Sequence, residues 1–272
     1  MKFFPMLIGL FVFSLSVAPV SGSDFDDRHT TWDRLLRAHV RWIDDGVNTQ
    51  VDYAGFRKDR DRLKGYLDGL SAVSMDRFQS WPRDTRLAFL LNAYNAFTVE
   101  LILTAYPDLQ SIRELRRFFI GPWKQRFFTL LGEKRHLDWI EHEIIREPGV
   151  YDDPRIHAAV NCASIGCPAL RDEAYVAEKL DDRMEDQMRR FLRDKSRNRY
   201  DPASGRLEVS KIFDWYGEDF EQGHRGWHSL REFFADYADL LADTPEDREK
   251  VRAGDYRLEF LEYDWSLNNV PR

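Results

Sequence analysis

One segment of the sequence is long and strongly apolar, and it constrains the fold more than any other. Residues 84–107 read DTRLAFLLNAYNAFTVELILTAYP, and Pro107 marks the end of a helix. The run is long enough to span a bilayer, but Asn92 and Asn95 place amides where lipid would not solvate them. We therefore predict a buried central helix over 84–106 in a water-soluble core.

The remainder of the chain predicts further amphipathic helices and a few short strands. Turn residues between apolar flanks predict hairpins at 127–137 and 200–210. A chain of 272 residues with 43% hydrophobic content is large enough to bury a full core. The predicted class is α+β, with one mainly helical domain over 23–272 that carries its motifs between residues 84 and 268.

The first 22 residues have the features of a secretory signal peptide. Lys2 precedes an apolar run over residues 7–17, and small residues lead to Gly22. We expect cleavage near Gly22 and a secreted, periplasmic mature protein. No integral membrane segment is expected after cleavage.

The overall charge balance argues against some classes of partner. Forty basic residues stand against 47 acidic ones, a formal net charge of −7, which argues against nucleic acid or an anionic membrane. The sequence has no glycine-rich phosphate loop, and no cofactor is expected. A protein, peptide or small-molecule substrate remains open, as does the oligomeric state.

Both cysteines of the chain lie in one short stretch, the cysteine segment (residues 153–170, DPRIHAAVNCASIGCPAL). Its apolar beginning breaks into a polar turn, where Gly166 and Pro168 restrict the backbone around Cys162 and Cys167. Loops attached to rigid elements often carry chemistry. We therefore expect both thiols to be held in one fixed arrangement.

A short helix is predicted just upstream of the cysteine segment, over residues 138–146 (DWIEHEIIR). Glu141 falls within its apolar arc, and His142 and Arg146 lie at the edge. A buried carboxylate is costly unless it caps a helix or is paired. Glu141 either completes a capping box with Asp138 or reaches across the core to the cysteines.

The two asparagines of the central helix share one helical face, at 100° per residue. Buried amides need hydrogen-bond partners. Asn92 and Asn95 either bridge neighbouring backbone, which is the commoner use, or orient a catalytic group.

Several motifs, taken in order, resemble domain of unknown function family 547. They are NAYNAFTVELIL, SIREL, HLDWIEHEIIR, DPRIHAAVNCASIGCPALR, SKIFDWYGEDF and YDWSLN, within residues 32–268. The resemblance implies a secreted bacterial member, but no particular activity, since the family's biochemistry is unassigned. The family's recurring polar positions fall on Asn92, Tyr94, Asn95, Glu141, His142, Arg146, Asn161, Cys162, Ser164, Gly166, Cys167 and Pro168.

The first functional hypothesis is a thiol hydrolase or acyl transferase that acts on an amide or ester of the cell envelope. A cysteine nucleophile needs a base, and the base needs a group that orients it. His157 competes with His142 for the role of base, and the expected directions of His157 and Cys162 favour His142. The candidate catalytic residues are Cys162, His142, Glu141 and Asn95, with binding or support from Asn92, Tyr94, Arg146, His157, Asn161, Ser164 and Cys167.

Two other hypotheses use the same cysteines. In an oxidising compartment, a Cys162–Cys167 disulfide would make the protein a binding or scaffolding domain without catalysis. His157 with the two cysteines could instead bind zinc, but their spacing matches no common zinc pattern, so no metal site is expected.

Overall fold

A long buried helix forms the axis of the protein. The structure, a computed structural model, describes residues 25–271, so the predicted signal peptide lies outside the described residues. Helix α5 spans Arg83–Leu103, close to the predicted 84–106, and begins directly after Pro82. By length and composition α5 could cross a membrane, yet 89% of its most apolar window is buried within the protein.

Within the described residues, four shorter α-helices precede α5 in the chain and six follow it. The first group is α1 (Thr30–His39), α2 (Tyr53–Lys58), α3 (Arg60–Ser71) and α4 (Met75–Ser80). The second is α6 (Ile156–Ala159), α7 (Leu180–Arg193), α8 (Ile212–Trp215), α9 (Leu230–Asp236), α10 (Ala238–Leu241) and α11 (Pro245–Ala253).

The strands of the described residues form three small sheets. Strands β1 (Val40–Ile43) and β2 (Asn48–Val51) pair antiparallel, with Val40 opposite Val51. The two predicted hairpins are confirmed as β3 (Phe128–Leu130) with β4 (Glu133–Arg135), and as β5 (Arg199–Asp201) with β6 (Arg206–Val209). Strand β7 (Arg257–Phe260) extends the last sheet and runs parallel to β6.

Helices therefore dominate, and the predicted α+β class is confirmed, with 51% helix and 12% strand. One apolar cluster surrounds α5, and a second forms between α7 and the elements that follow it. Residues after β7 return to the first cluster, where the N–H of Val51 donates to the carbonyl of Asn268 at 2.9 Å. This return brings the C-terminal segment alongside the cysteines.

The helix that carries Glu141 differs from the prediction. Trp139–Ile145 is a π-helix rather than an α-helix, and the side chain of Asp138 makes no capping hydrogen bond. The capping explanation for Glu141 therefore has no support in the structure. Single-turn π-helices are rare and occur often at functional sites, because the wider turn redirects side chains.

Candidate functional site

The cysteine loop (residues 160–168) follows the short helix α6 and is shaped by an asparagine. The Oδ1 atom of Asn161 accepts from the N–H of Ala163 at 2.9 Å, and its Nδ2 donates to the carbonyl of Pro168 at 2.7 Å. Ala163 has a φ of 64°, a left-handed conformation that is uncommon for a residue with a side chain. Asn161 therefore ties both ends of the loop and stabilises its strained turn.

The two asparagines of α5 hold the backbone of the neighbouring segments. Asn95 donates to the carbonyl of Ala159 at 2.9 Å and accepts from the N–H of Asn161 at 2.8 Å. Asn92 forms the same pair of bonds with the backbone of Tyr175, at 2.7 and 2.9 Å. Both side chains are buried, and in each the amide nitrogen and the amide oxygen form hydrogen bonds with backbone groups. Asn95 therefore holds the backbone at the start of the cysteine loop.

The C-terminal segment covers the other side of the cysteine loop. The N–H of Gly166 donates to the carbonyl of Asp264, and that of Ile165 to the carbonyl of Ser266, both at 2.8 Å. These bonds place Tyr263 next to the sulfur of Cys162. Its hydroxyl lies 3.0 Å from Sγ.

Cys162 is a free, partly exposed thiol surrounded by hydrogen-bonding groups. Its Sγ lies 3.0 Å from the hydroxyls of both Ser164 and Tyr263, and its own N–H donates to the sulfur of Cys167 at 2.9 Å. Burial by itself opposes ionisation. The hydrogen bonds from Cys167, Ser164 and Tyr263 outweigh it and lower the pKa of Cys162.

Cys167 is also a free thiol, but its pKa is shifted in the opposite direction from that of Cys162. Burial, together with its hydrogen bond and charge interaction with Cys162, raises the pKa of Cys167 well above its ordinary value. Of the two sulfurs, Cys162 is therefore the one that ionises, and the proton stays on Cys167. A thiolate is the nucleophilic form of cysteine.

Cys162 opens into a cavity of about 540 Å³. Glu141 and His142 of the π-helix and His157 of α6 line the same cavity, so the structure brings these candidates together. Aromatic side chains form much of its wall, and cations lie among its other lining residues. The aromatic residues are Tyr94, Phe119, Trp123, Trp215, Tyr216, Tyr263 and Trp265, and the cations are Arg113, Arg116 and Lys124.

His142, the favoured base, has both ring nitrogens near charged groups. Arg146 donates from Nη1 to Nδ1 of His142 at 2.6 Å. In the neutral ring the proton is then on Nε2, which lies 3.6 Å from Asp138 and 4.0 Å from Glu141. This arrangement leaves no free nitrogen on His142 to accept a proton from the sulfur.

His157 pairs with a carboxylate through one ring nitrogen and leaves the other without a partner in the described part of the chain. Its Nε2 lies 2.6 Å from Oδ2 of Asp219, and its ring stacks on Tyr216 with centroids 4.0 Å apart. The other nitrogen, Nδ1, is buried and has no hydrogen-bond partner among residues 25–271. With the proton on Nε2 facing Asp219, Nδ1 carries a free lone pair.

Asp219 is the carboxylate that connects the two histidines. It accepts two hydrogen bonds from Arg146, at 2.6 and 2.9 Å, besides the one from His157. Burial alone would raise the pKa of Asp219, but these hydrogen bonds lower it well below its ordinary value. Asp219 is therefore ionised and holds both Arg146 and His157 in place.

Three tyrosine hydroxyls at the cavity keep their protons. Burial raises the pKa of Tyr94, Tyr216 and Tyr263, and nearby charges add to the effect, from Glu141 on Tyr94 and Tyr216 and from Cys162 on all three. Neutral hydroxyls donate hydrogen bonds, and such donors stabilise negative charge that develops on a substrate oxygen.

Asp219, Tyr216 and Tyr263 complete the site but were not among the predicted site residues. Asp219 and Tyr216 belong to the motif KIFDWYGEDF, and Tyr263 to YDWSLN. Both motifs were part of the resemblance, so these positions carried a signal. No local pattern, however, shows that residues 50 to 100 positions downstream return to the cysteine loop.

Replacing Tyr263 with phenylalanine is expected to raise the pKa of Cys162. The change removes one donor to the sulfur and leaves the ring packed against Trp215 and Trp265, at centroid distances of 4.9 and 4.5 Å. The rate of Cys162 alkylation by iodoacetamide, followed by mass spectrometry as a function of pH, should then have its midpoint at higher pH. Tyr200→Phe on β5 is the control, and equal midpoints in all three proteins would contradict the prediction.

The fold and site define a mainly helical α+β protein with a cavity that both cysteines line. Comparison with known proteins finds a matching family. Residues 78–192 match the family described as "Protein of unknown function, DUF547", which supports the resemblance over α5, the π-helix and the cysteine loop. The match is shorter than the motif-bearing stretch 32–268. No curated protein and no solved structure matches the chain.

No group of three His, Cys, Asp or Glu side chains within residues 25–271 is arranged to hold a metal ion. The zinc hypothesis for His157, Cys162 and Cys167 therefore gains no support from the geometry.

Proposed function

We propose that the chain is a thiol hydrolase or acyl transferase in which Cys162 is the nucleophile. The observation that carries the proposal is a partly exposed cysteine that lines a cavity, with hydrogen bonds that lower the pKa of its thiol. A structural thiol needs neither an opening nor donors that favour the thiolate. The cavity is also lined by tyrosines with neutral hydroxyls and by His157, whose partner is Asp219, and groups of both kinds are used in acyl transfer.

We assign the role of base to His157, with Asp219 as the residue that orients it. The hydrogen bond from Arg146 occupies the nitrogen that His142 would need, whereas Nδ1 of His157 has no partner among the described residues. The present partners of the sulfur are hydroxyls, so proton transfer to His157 takes place within the substrate complex. His142 and Glu141 then contribute charge and shape to the substrate cavity.

The proposed reaction begins with attack of the Cys162 thiolate on an acyl carbon. The carbonyl electrons move to oxygen, where a tyrosine hydroxyl donates to the oxyanion. Collapse expels an amine or alcohol, which takes the proton from Nδ1 of protonated His157 and leaves a thioester. His157 then removes a proton from water or from a second acceptor, which attacks the thioester and restores the thiolate.

We also propose that the substrate is an amide or ester of the cell envelope. The support is the sequence pattern of residues 1–22, which is typical of chains exported to that compartment. The N-terminal residue of the protein recovered from the periplasm tests this step. An uncleaved protein that stays in the cytoplasm would contradict it.

An activated ester tests the proposed chemistry with the mature protein. With p-nitrophenyl acetate, intact mass should show one acetyl group on Cys162 that is then lost to water. In His157→Ala, loss of the acetyl group should slow by about 10²–10⁴-fold, the usual contribution of a positioned base. His142→Ala is the matched control and should deacylate much closer to the wild-type rate.

Two results would overturn the assignment. If Cys162→Ser acquires acetyl at the wild-type rate, the sulfur is not the nucleophile. If His157→Ala and wild type deacylate equally fast while both remain folded by circular dichroism, His157 is not the base.

The proximity of Cys162 and Cys167 favours one other candidate function. In that alternative, Cys162 and Cys167 are oxidised to a disulfide and the cavity only binds a partner. Both are free thiols in the structure, and the backbone N–H of Cys162 donates a hydrogen bond to the sulfur of Cys167. Intact mass of the native protein with and without reductant separates the two functions, since a quantitative disulfide would exclude a thiolate nucleophile.

A further inference from the structure

An apolar turn projects from the surface between two short 3₁₀ segments, Ile112–Leu115 and Pro122–Lys124. We call residues 116–121 the aromatic turn. At its tip Phe118 is 96% exposed and Phe119 is 92% exposed. Two adjacent phenylalanines that are almost fully exposed are unfavourable in water, and such exposed apolar groups mark interaction sites.

The aromatic turn is a built element. Arg117 and Ile120 exchange backbone hydrogen bonds of 3.1 and 2.9 Å across its base. Below it, the side chain of Gln125 donates to the carbonyl of Leu115 at 2.6 Å, and Ile112 is fully buried. The fold therefore holds the two rings away from the body of the protein.

The surroundings of the turn carry positive charge, unlike the chain as a whole. Residues 111–127 contain five basic side chains and one acidic side chain, whereas the full chain has a net charge of −7. All five are exposed, and none forms an ion pair with any residue from 25 to 271. The basic residues are Arg113, Arg116, Arg117, Lys124 and Arg126.

We propose that the aromatic turn docks on an anionic lipid bilayer. Exposed phenylalanines enter the boundary between head groups and acyl chains, while flanking Arg and Lys bind the negative head groups. Unpaired cations around an apolar tip are complementary to that surface. The net negative charge of the chain does not prevent docking, because charges beyond about one Debye length are screened.

Docking would also orient the cavity. Arg116, Phe119 and Gly121 are among the residues that line it, as are Trp123 and Trp265. A bilayer bound at the turn therefore lies beside the cavity that Cys162 also lines. The arrangement favours a substrate presented at the membrane surface, but docking itself does not depend on the thiol chemistry.

Vesicle sedimentation tests the proposal with the mature protein. Vesicles of phosphatidylglycerol with phosphatidylcholine should bind the protein, and binding should fall as salt is raised. Vesicles of phosphatidylcholine alone should bind much less. The double variant Phe118→Ser with Phe119→Ser should lose about tenfold or more in affinity, because the apolar contribution is removed.

Charge reversal supplies a matched pair. Arg116→Glu with Arg117→Glu should abolish binding to anionic vesicles. Lys179→Glu with Arg193→Glu changes the net charge equally at exposed sites before and at the end of α7, and should retain most binding. Cys162→Ala should bind as wild type, so loss of catalysis and loss of docking are distinguishable.

Three results would overturn the proposal. One is equal binding to neutral and anionic vesicles, and another is unchanged binding of the folded serine double variant. The third is absence of vesicle binding together with a dimer that the serine double variant dissolves, since the turn would then bind a second copy of the chain.

Discussion

Replacing Asp219 with asparagine is expected to destabilise the folded protein by about 3 kcal/mol. The carboxylate accepts two hydrogen bonds from Arg146 and one from His157. Removing one partner of a buried ion pair leaves the other charge uncompensated, which costs about 3–5 kcal/mol. The lower end of this range of free energies applies because the Arg146 side chain is 24% exposed and retains some hydration.

The same substitution should change the acid dependence of stability. Since the pKa of Asp219 is lower in the folded protein, the unfolded chain binds its proton first as the pH falls. The stabilisation is therefore complete above the ordinary pKa of 3.8 and is lost as the pH drops below that value. The variant lacks this contribution, so its stability should fall less steeply in that acidic range.

Asp219→Asn should also impair catalysis under the proposed mechanism. An asparagine amide can donate to Nε2 of His157, which would place the ring proton on Nδ1 and remove the free lone pair. The comparable loss of an orienting carboxylate in a catalytic triad lowers turnover on the order of 10⁴-fold. Deacylation of acetylated Cys162 is the measurement.

Asp214→Asn provides the control in the same part of the chain. Asp214 pairs with Lys211 at 2.7 Å on the surface, and such pairs contribute about 0–1 kcal/mol. Urea unfolding of both variants and wild type gives the comparison. Similar free energies of unfolding for Asp219→Asn and Asp214→Asn would show that the buried cluster does not stabilise the fold as described.

The central helix and the hairpins could be predicted because their signals are local. The apolar run of α5 and the turn residues at Gly132 and Gly205 specify structure within about 20 residues. Glycine at a positive φ suits such turns without a steric penalty. These elements need no information from distant parts of the chain.

Local periodicity does not determine which histidine side chain points toward Cys162, for two physical reasons. The π-helix has a wider turn than the α-helix assumed for His142, so its side chains point in other directions. For His157, the backbone changes from helix to extended at Val160, and neither a continuous strand nor a continuous helix describes its relation to Cys162.

The rest of the site depends on contacts between distant segments. Asp219 reaches His157 across 62 positions, and Tyr263 reaches Cys162 across 101. Such pairs follow from the tertiary fold and leave no periodic pattern. The partners of the buried asparagines were easier to predict, because a buried amide must form hydrogen bonds and backbone groups are its commonest partners.

Replacing Gly166 with alanine is expected to cost about 1–3 kcal/mol of stability and to impair Cys162. A Cβ atom at this position would lie 2.9 Å from the backbone nitrogen of Asp264 and 3.0 Å from Cδ1 of Tyr263. Gly166 does not have a positive φ, so close approach of the C-terminal segment, rather than unusual backbone geometry, requires glycine here. Overpacking against backbone costs about 1–3 kcal/mol.

The displaced segment carries the Tyr263 hydroxyl, so Gly166→Ala should also move the midpoint of Cys162 alkylation to higher pH. The matched control is Gly65→Ala in α3, where a Cβ meets nothing within 4 Å and the change should be neutral or stabilising by up to about 1 kcal/mol. Urea unfolding and iodoacetamide labelling measure the two effects. If Gly166→Ala is as stable as Gly65→Ala and keeps the wild-type alkylation midpoint, close packing of the C-terminal segment does not control the reactivity of Cys162.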